Sequence, residues 1–316
     1  MQGALEKYQV WLYLTAILAG MALGRAWPGA TASFETLLWP VLGVLLYATF
    51  TQVPLTHLGA AFRDRRFLTA LVTGNFVIMP LIVWLLAGLA PADPAIRLGI
   101  LLVLLVPCTD WFISFTHLGG GDSARAIAAS PILLLLQIVT LPLYLWLFMG
   151  RDMVGASLAE HLLPAFVGLI LVPLVLAWIT EKGADRSARA RAWVGLMGWL
   201  PVPLLALVVF LIAASQIQLV IDTGALLGPL AIIFALYLLA AAGTGALLSR
   251  AFHLPTSQGR TLTFSLGTRN SFVVLPFALA LPEIWASAVV VIVFQSLVEL
   301  FGMTAYLKWL PRLVRN

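Results

Sequence analysis

Apolar residues in this chain gather in runs of about twenty, the length a helix needs to cross a bilayer, and each run stops at charged or Pro/Gly-rich punctuation. The pattern predicts ten spans: Gln9–Trp27, Leu37–Leu55, Phe67–Leu89, Leu98–Leu118, Ala124–Phe148, Leu162–Thr180, Ala192–Ala214, Ala225–Leu248, Thr261–Leu281 and Ile284–Tyr306. Two of them are poorly insulated. The fourth runs into Gly119-Gly120-Gly121-Asp122, and the ninth carries Thr268-Arg269-Asn270-Ser271 in its middle.

A polar gap at Gly150-Arg151-Asp152 divides the chain into residues 1–150 and 151–316, with five spans each. An odd number per half makes the halves enter the membrane from opposite sides, and corresponding broken helices in two such halves point to a midplane binding site. The expected fold is therefore an all-α integral membrane protein. It would have ten transmembrane helices in two inverted five-helix repeats, with broken, crossing fourth and ninth spans, forming one membrane unit. Fourteen of the eighteen Lys and Arg residues then fall on one side, among them Arg63, Arg65, Arg66, Lys182, Arg186, Arg189, Arg191 and Arg312. Arg25, Arg97 and Arg151 fall on the other, and Arg269 alone lies within a span. Basic loops mark the cytoplasmic face, which places both termini in the cytoplasm and the protein in the inner or plasma membrane.

Composition agrees: 62% of the 316 residues are hydrophobic and 10% are charged, against about 25% charged in soluble domains. Mean hydropathy is +1.03. Met1 to Tyr8 is short and polar, and the first apolar run shows no small-residue cleavage signature, so it reads as a retained span. The net charge of +5 is explained by the cytoplasmic loops and does not suggest nucleic acid. One cysteine excludes an intrachain disulfide and a multi-cysteine metal site. With no Walker A run, nucleotide fingerprint, HExxH or nucleophile–base pair, neither an enzyme nor a bound cofactor is expected. Gly119-Gly120-Gly121 reads as a turn between spans.

The chemistry concentrates in three runs. In the fourth, Pro107 breaks the helix and frees backbone groups that only neighbours or water satisfy, with Cys108, Thr109 and Asp110 beside the break. In the ninth, Gly267 marks the matching break, followed by Arg269, Asn270 and Ser271. A guanidinium at membrane depth keeps its charge and needs an anion. Asp110 is the candidate partner, either as a structural ion pair or with Arg269 meeting an anionic substrate and Asp110 titrating. In the tenth, Gln295 and Glu299 share one helical face, and an intramembrane carboxylate is a natural proton or cation site. Asn75, Thr51, Gln52, Gln137, Ser215 and Gln216 are weaker candidates, read as interhelical glue or cavity lining.

At these residues the chain resembles the arsenite efflux permeases of the bile acid:sodium symporter superfamily. The resemblance rests on Pro107-Cys108-Thr109 followed by Leu118, Gly121 and Asp122, on Asn75-Phe76-Val77-Ile78-Met79-Pro80, and on Val298-Glu299. It implies that Cys108 contacts As(III) as substrate, with no structural metal, and that Glu299 serves proton coupling. It also implies a core domain that moves against a panel domain. Asp110-Trp111 and Arg269-Asn270 stand where those permeases carry small, apolar residues and an Asn-Asn pair. The leading expectation is arsenite or antimonite efflux by proton antiport. The alternative is a sodium- or proton-coupled organic anion symporter, and a sensor or channel ranks behind both. Expected partners are the lipid bilayer and a small inorganic or organic solute, with H+, or else Na+, as coupling ion; oligomeric state stays open.

Overall fold

The computed structural model describes residues 2–27, 29, 31–55, 64–109, 111–149, 164–216, 221 and 224–314. In chain order the helices are α1 (Gln2–Ala26), α2 (Thr31–Phe50), α3 (Arg65–Ala87, with a π turn at Gly74–Ile78), α4 (Pro94–Leu105), α5 (Trp111–Leu118) and α6 (Ser123–Met149). They continue with α7 (Phe166–Ala184), α8 (Ala188–Met197), α9 (Pro201–Ser215), α10 (Leu227–Ala251), α11 (Thr256–Gly267), α12 (Ser271–Ala280) and α13 (Ser287–Leu313).

This arrangement corrects the expectation of ten spans in two inverted five-helix repeats. Among the described residues six helical segments are long and apolar enough to cross a membrane: Ser33–Phe50, Arg65–Ala87, Ser123–Met149, Phe166–Ala184, Gly224–Ala251 and Glu283–Leu313. A seventh results if α8 and α9, bent by 42° to each other, act as one. The remaining apolar helices, Trp11–Ala26, Pro94–Leu105 and Ser271–Ala280, are short. At 1.5 Å per residue, α4 rises only about 18 Å, well under the ~30 Å hydrocarbon core. The fold is thus all-α and multi-pass, with six to seven long apolar helices.

Two compact units divide the chain. One comprises Met1–Gln52 and Leu162–Leu226. Within it α9 packs against α1 and α2, and α7 against α2 and α8. Hydrogen bonds tie these helices: Tyr47 Oη and Thr180 Oγ1 are 2.9 Å apart, and Trp193 Nε1 donates to Tyr47 Oη at 3.0 Å.

The other unit comprises Val53–His161 and Leu227–Asn316. Asp64 joins three of its elements. Its Oδ1 caps α3 through the Phe67 amide, and its Oδ2 accepts from Arg125 Nε at 2.8 Å and Gln258 Nε2 at 3.1 Å. Burial alone would raise the Asp64 pKa, but these donors outweigh it and hold the carboxyl below its ordinary value. Helix α4 starts at an Asp93 cap, whose Oδ1 accepts from Ala95 and Ile96, with Pro94 at the first helical position. It is buried almost all round, as an apolar helix in a core must be.

Two helices of this unit end in Schellman turns. After α5, Gly121 N–H donates to the Thr116 carbonyl and Gly120 N–H to that of His117, with Gly120 at φ +67°, a conformation glycine adopts freely. After α10 the same pattern places His253 at φ 48°, where a Cβ costs roughly 1–2 kcal/mol. His253→Gly is therefore expected to stabilise the protein by about 1 kcal/mol, seen as a raised Tm in detergent; an unchanged or lowered Tm would contradict it.

Candidate functional site

The site is built where two interrupted helices face each other inside the second unit. Helix α4 stops at Leu105 because Val106 turns extended (φ −106°, ψ 108°) ahead of Pro107, the conformation a residue before proline prefers. Helix α11 stops at Gly267, and Thr268 is likewise extended (φ −100°, ψ 138°). The two stretches pair as an isolated antiparallel bridge between Pro107 and Arg269. Cys108 N–H donates to the Thr268 carbonyl at 3.2 Å and Asn270 N–H to the Val106 carbonyl at 2.8 Å. Each break thus satisfies backbone groups that the other leaves open, as membrane depth requires. Helix α12 then restarts under an Asn270 side-chain cap on the Val273 amide.

Around this crossing the structure gathers most of the residues singled out from sequence. Asn270 Nδ2 lies 3.4 Å from Thr109 Oγ1. Ser271 Oγ donates to Gln295 Oε1 at 2.9 Å, Gln295 Nε2 donates to Glu299 Oε2 at 2.8 Å, and that same carboxylate oxygen accepts the Arg269 backbone N–H at 2.9 Å. Glu299 is 1% exposed and Arg269 2%. Cys108 is buried at the break. The expected pair between Asp110 and Arg269 lies outside the described residues at Asp110.

The observed partners of the Arg269 guanidinium come from elsewhere. Its Nη2 donates to the Leu266 carbonyl at 2.7 Å and to Asn75 Oδ1 at 3.1 Å. Its carbon sits 5.3 Å from the ring centroid of Tyr237, within cation–π range. Nε and Nη1 have no hydrogen-bond partner among the described residues.

Asn75 reaches this position because it lies in the π turn of α3, buried against α11 and anchored by donation to the Leu71 carbonyl and Ser265 Oγ. Pro80 has no N–H to close the turn onto Phe76, and the Tyr144 hydroxyl donates to the Phe76 carbonyl instead. π turns recur at functional sites.

Sequence reasoning ranked Asn75 low and did not single out Tyr237 or Tyr306. Tyr237 donates to the Leu266 carbonyl at 2.8 Å, and the Tyr306 hydroxyl donates to that of Leu238. The signal available was that each is a lone tyrosine within an apolar run. Gln137 is buried on α6 and its amide finds no partner among the described residues; it does not join the cluster. No group of three or more His, Cys, Asp or Glu is placed to hold a metal ion among the described residues.

Six to seven long apolar helices among the described residues define a multi-pass integral membrane protein, with a charged and amide-rich cluster buried where two short helices break. Residues 39–242 match the Sodium Bile acid symporter family, and the chain belongs to that family. It is a secondary active transporter, driven by a coupling ion, rather than an enzyme. The match does not single out the arsenite-exporting members, and it ends before Arg269, Asn270, Ser271, Gln295 and Glu299. Among curated proteins none matches the chain significantly.

Proposed function

We propose that the chain is a cation-coupled symporter of a small organic anion whose carboxylate is met by Arg269. The observation that carries this reading is the buried guanidinium. It is anchored through one nitrogen, with two others unpartnered among the described residues. A buried donor left unmatched is costly, and a substrate carboxylate is the group that completes a guanidinium best. Thr109, Asn270 and Ser271 line the crossing beside it. Cys108 lies buried at the same break.

Charge balance supplies the reason for coupling. Arg269 and Glu299, the two charges of the described cluster, cancel when both are ionised. A monoanion would then enter the low-dielectric site uncompensated, and such charges are expensive to bury. A cation arriving with it, either a proton on Glu299 or a sodium ion, restores neutrality. The family description, a sodium-coupled symporter of an organic anion, supports this reading over thiol-dependent export of As(III), for which a guanidinium offers no ligand.

The test is accumulation of labelled mono- and dicarboxylates in proteoliposomes under an imposed cation gradient. Wild-type protein is expected to concentrate at least one carboxylate. Arg269→Met should cut that uptake by at least about 30-fold, the equivalent of losing a charged partner worth ~2 kcal/mol. Cys108→Ser should leave it unchanged. Uptake that survives Arg269→Met, or arsenite tolerance conferred on a sensitive host and lost in Cys108→Ser, would overturn the reading.

A further inference from the structure

We infer that Arg269 is itself the resident cation of this transport site: its guanidinium fills the oxygen cradle that a coupling sodium ion would need, so the chain works without sodium and is coupled to protons. The inference rests on the proposed coupled transport and concerns only which ion drives it.

The cradle lies at the C-terminal end of α11. A helix C-terminus carries partial negative charge on its unclosed carbonyls. In transporters with discontinuous helices, half-helix C-terminal carbonyls and unwound backbone are what coordinate Na+. Here the Leu266 carbonyl projects from that end one residue before the break, and Asn75 Oδ1 meets it from the π turn of α3. Both oxygens close on one nitrogen, Arg269 Nη2, at 2.7 and 3.1 Å. The face of Tyr237, whose hydroxyl donates to the same Leu266 carbonyl, completes the enclosure. A backbone carbonyl and an amide oxygen are the neutral, hard ligands that a small monovalent cation takes, and in this chain a tethered cation already holds them.

A guanidinium cannot step aside by losing its proton. A second positive charge placed about 4 Å from it would bind roughly a thousandfold more weakly at an effective dielectric constant of about 20. The family is named for sodium, but its match stops at residue 242, short of Arg269. Of the two cradle oxygens, Asn75 Oδ1 lies inside the matched range and the Leu266 carbonyl outside it, and Arg269, which fills the cradle, lies outside as well.

With the cradle filled, the remaining variable charge is the Glu299 carboxylate. It faces Arg269 from the α11–α12 break, Tyr237 from α10, and Gln295 and Tyr306 on its own helix. The other charged groups on α13 and the elements packed against it are Arg97 at the start of α4, His117 at the end of α5, Arg250 at the end of α10, Arg260 in the first turns of α11, Glu283 in the short turn ahead of α13, and Lys308 and Arg312 in the last turns of α13 itself. All lie away from the cluster, and all but Arg260 are exposed.

The experiment uses purified full-length protein and needs no substrate. Thermal stability is followed while NaCl replaces choline chloride at constant ionic strength, for wild type, Arg269→Lys and Arg269→Gln. Wild type and Arg269→Lys are expected to show no sodium-specific shift. Arg269→Gln removes the charge and leaves the oxygens, so it should gain a saturable, sodium-specific rise in Tm of about 3 °C or more.

A saturable sodium shift in wild type would overturn the inference, and it needs no variant to be seen. A folded Arg269→Gln that ignores sodium would overturn it as well. If Arg269→Gln does not fold, uptake by wild type decides: accumulation that requires sodium refutes the inference while upholding symport, whereas accumulation driven by a proton gradient in sodium-free buffer supports both. Absence of any carboxylate uptake refutes the symport reading and leaves the sodium result standing.

Discussion

Replacing Glu299 by alanine is expected to destabilise the protein by roughly 3–5 kcal/mol, the usual cost of leaving a buried charge without its opposite. The change removes the acceptor of both the Arg269 backbone N–H and Gln295 Nε2, and leaves the 2%-exposed guanidinium in a cluster with no described anion. The readout is a fall in Tm on the order of 10 °C, with low recovery from the membrane. Glu299→Gln separates stability from coupling. Its amide oxygen can accept the same two hydrogen bonds, so although the negative charge is lost, Tm should fall less than in Glu299→Ala and folded protein should be recovered, but the side chain can no longer exchange a proton. Exchange of labelled for unlabelled carboxylate across the membrane should continue, while accumulation driven by a proton gradient is lost. Gradient-driven accumulation by Glu299→Gln at the wild-type level would remove Glu299 from the coupling step.

What could be read from sequence and what could not divide along a physical line. Hydrophobic length is a local property, so the long helices α3, α6, α10 and α13 announce themselves. The end of α4 at Leu105 does not, because hydropathy runs on past it through Val106. The helix stops there through the steric demand of Pro107 and through pairing with Thr268 and Asn270, some 160 residues away in sequence. Counting apolar runs therefore turned three short helices into full spans. The site divides in the same way. Arg269 and Glu299 are conspicuous as charges in apolar runs, but the guanidinium's partners depend on tertiary geometry. Asn75 reaches it through a π turn on α3, and Tyr237 through the packing of α10 on α11. Asp110, the partner the charge pattern offered, lies outside the described residues.

Gly267→Val should be the most damaging change at the crossing that alters no charge. A Cβ built on Gly267 falls 2.8 Å from Met303 Cε and 2.8 Å from Tyr306 Cε2, so α13 approaches the break too closely for any side chain. Met303 is flexible and can yield. Tyr306 is held: its hydroxyl donates to the Leu238 carbonyl, its ring packs 6.2 Å from that of Phe264, and it is buried. Forcing such a contact costs about 1–3 kcal/mol. Relief would come from moving the break itself, which carries the Leu266 carbonyl away from Arg269 and the Thr268 carbonyl away from Cys108. The variant is expected to lower Tm by several degrees, in line with about 2–4 °C per kcal/mol, and to abolish solute uptake even where protein remains in the membrane. Gly243→Ala on α10 is the matched control. Its added Cβ meets nothing within 4 Å, and alanine is the better helix former by about 1 kcal/mol, so Tm should hold or rise with uptake intact. Equal behaviour of the two variants would show that close approach at Gly267 is not what shapes the crossing.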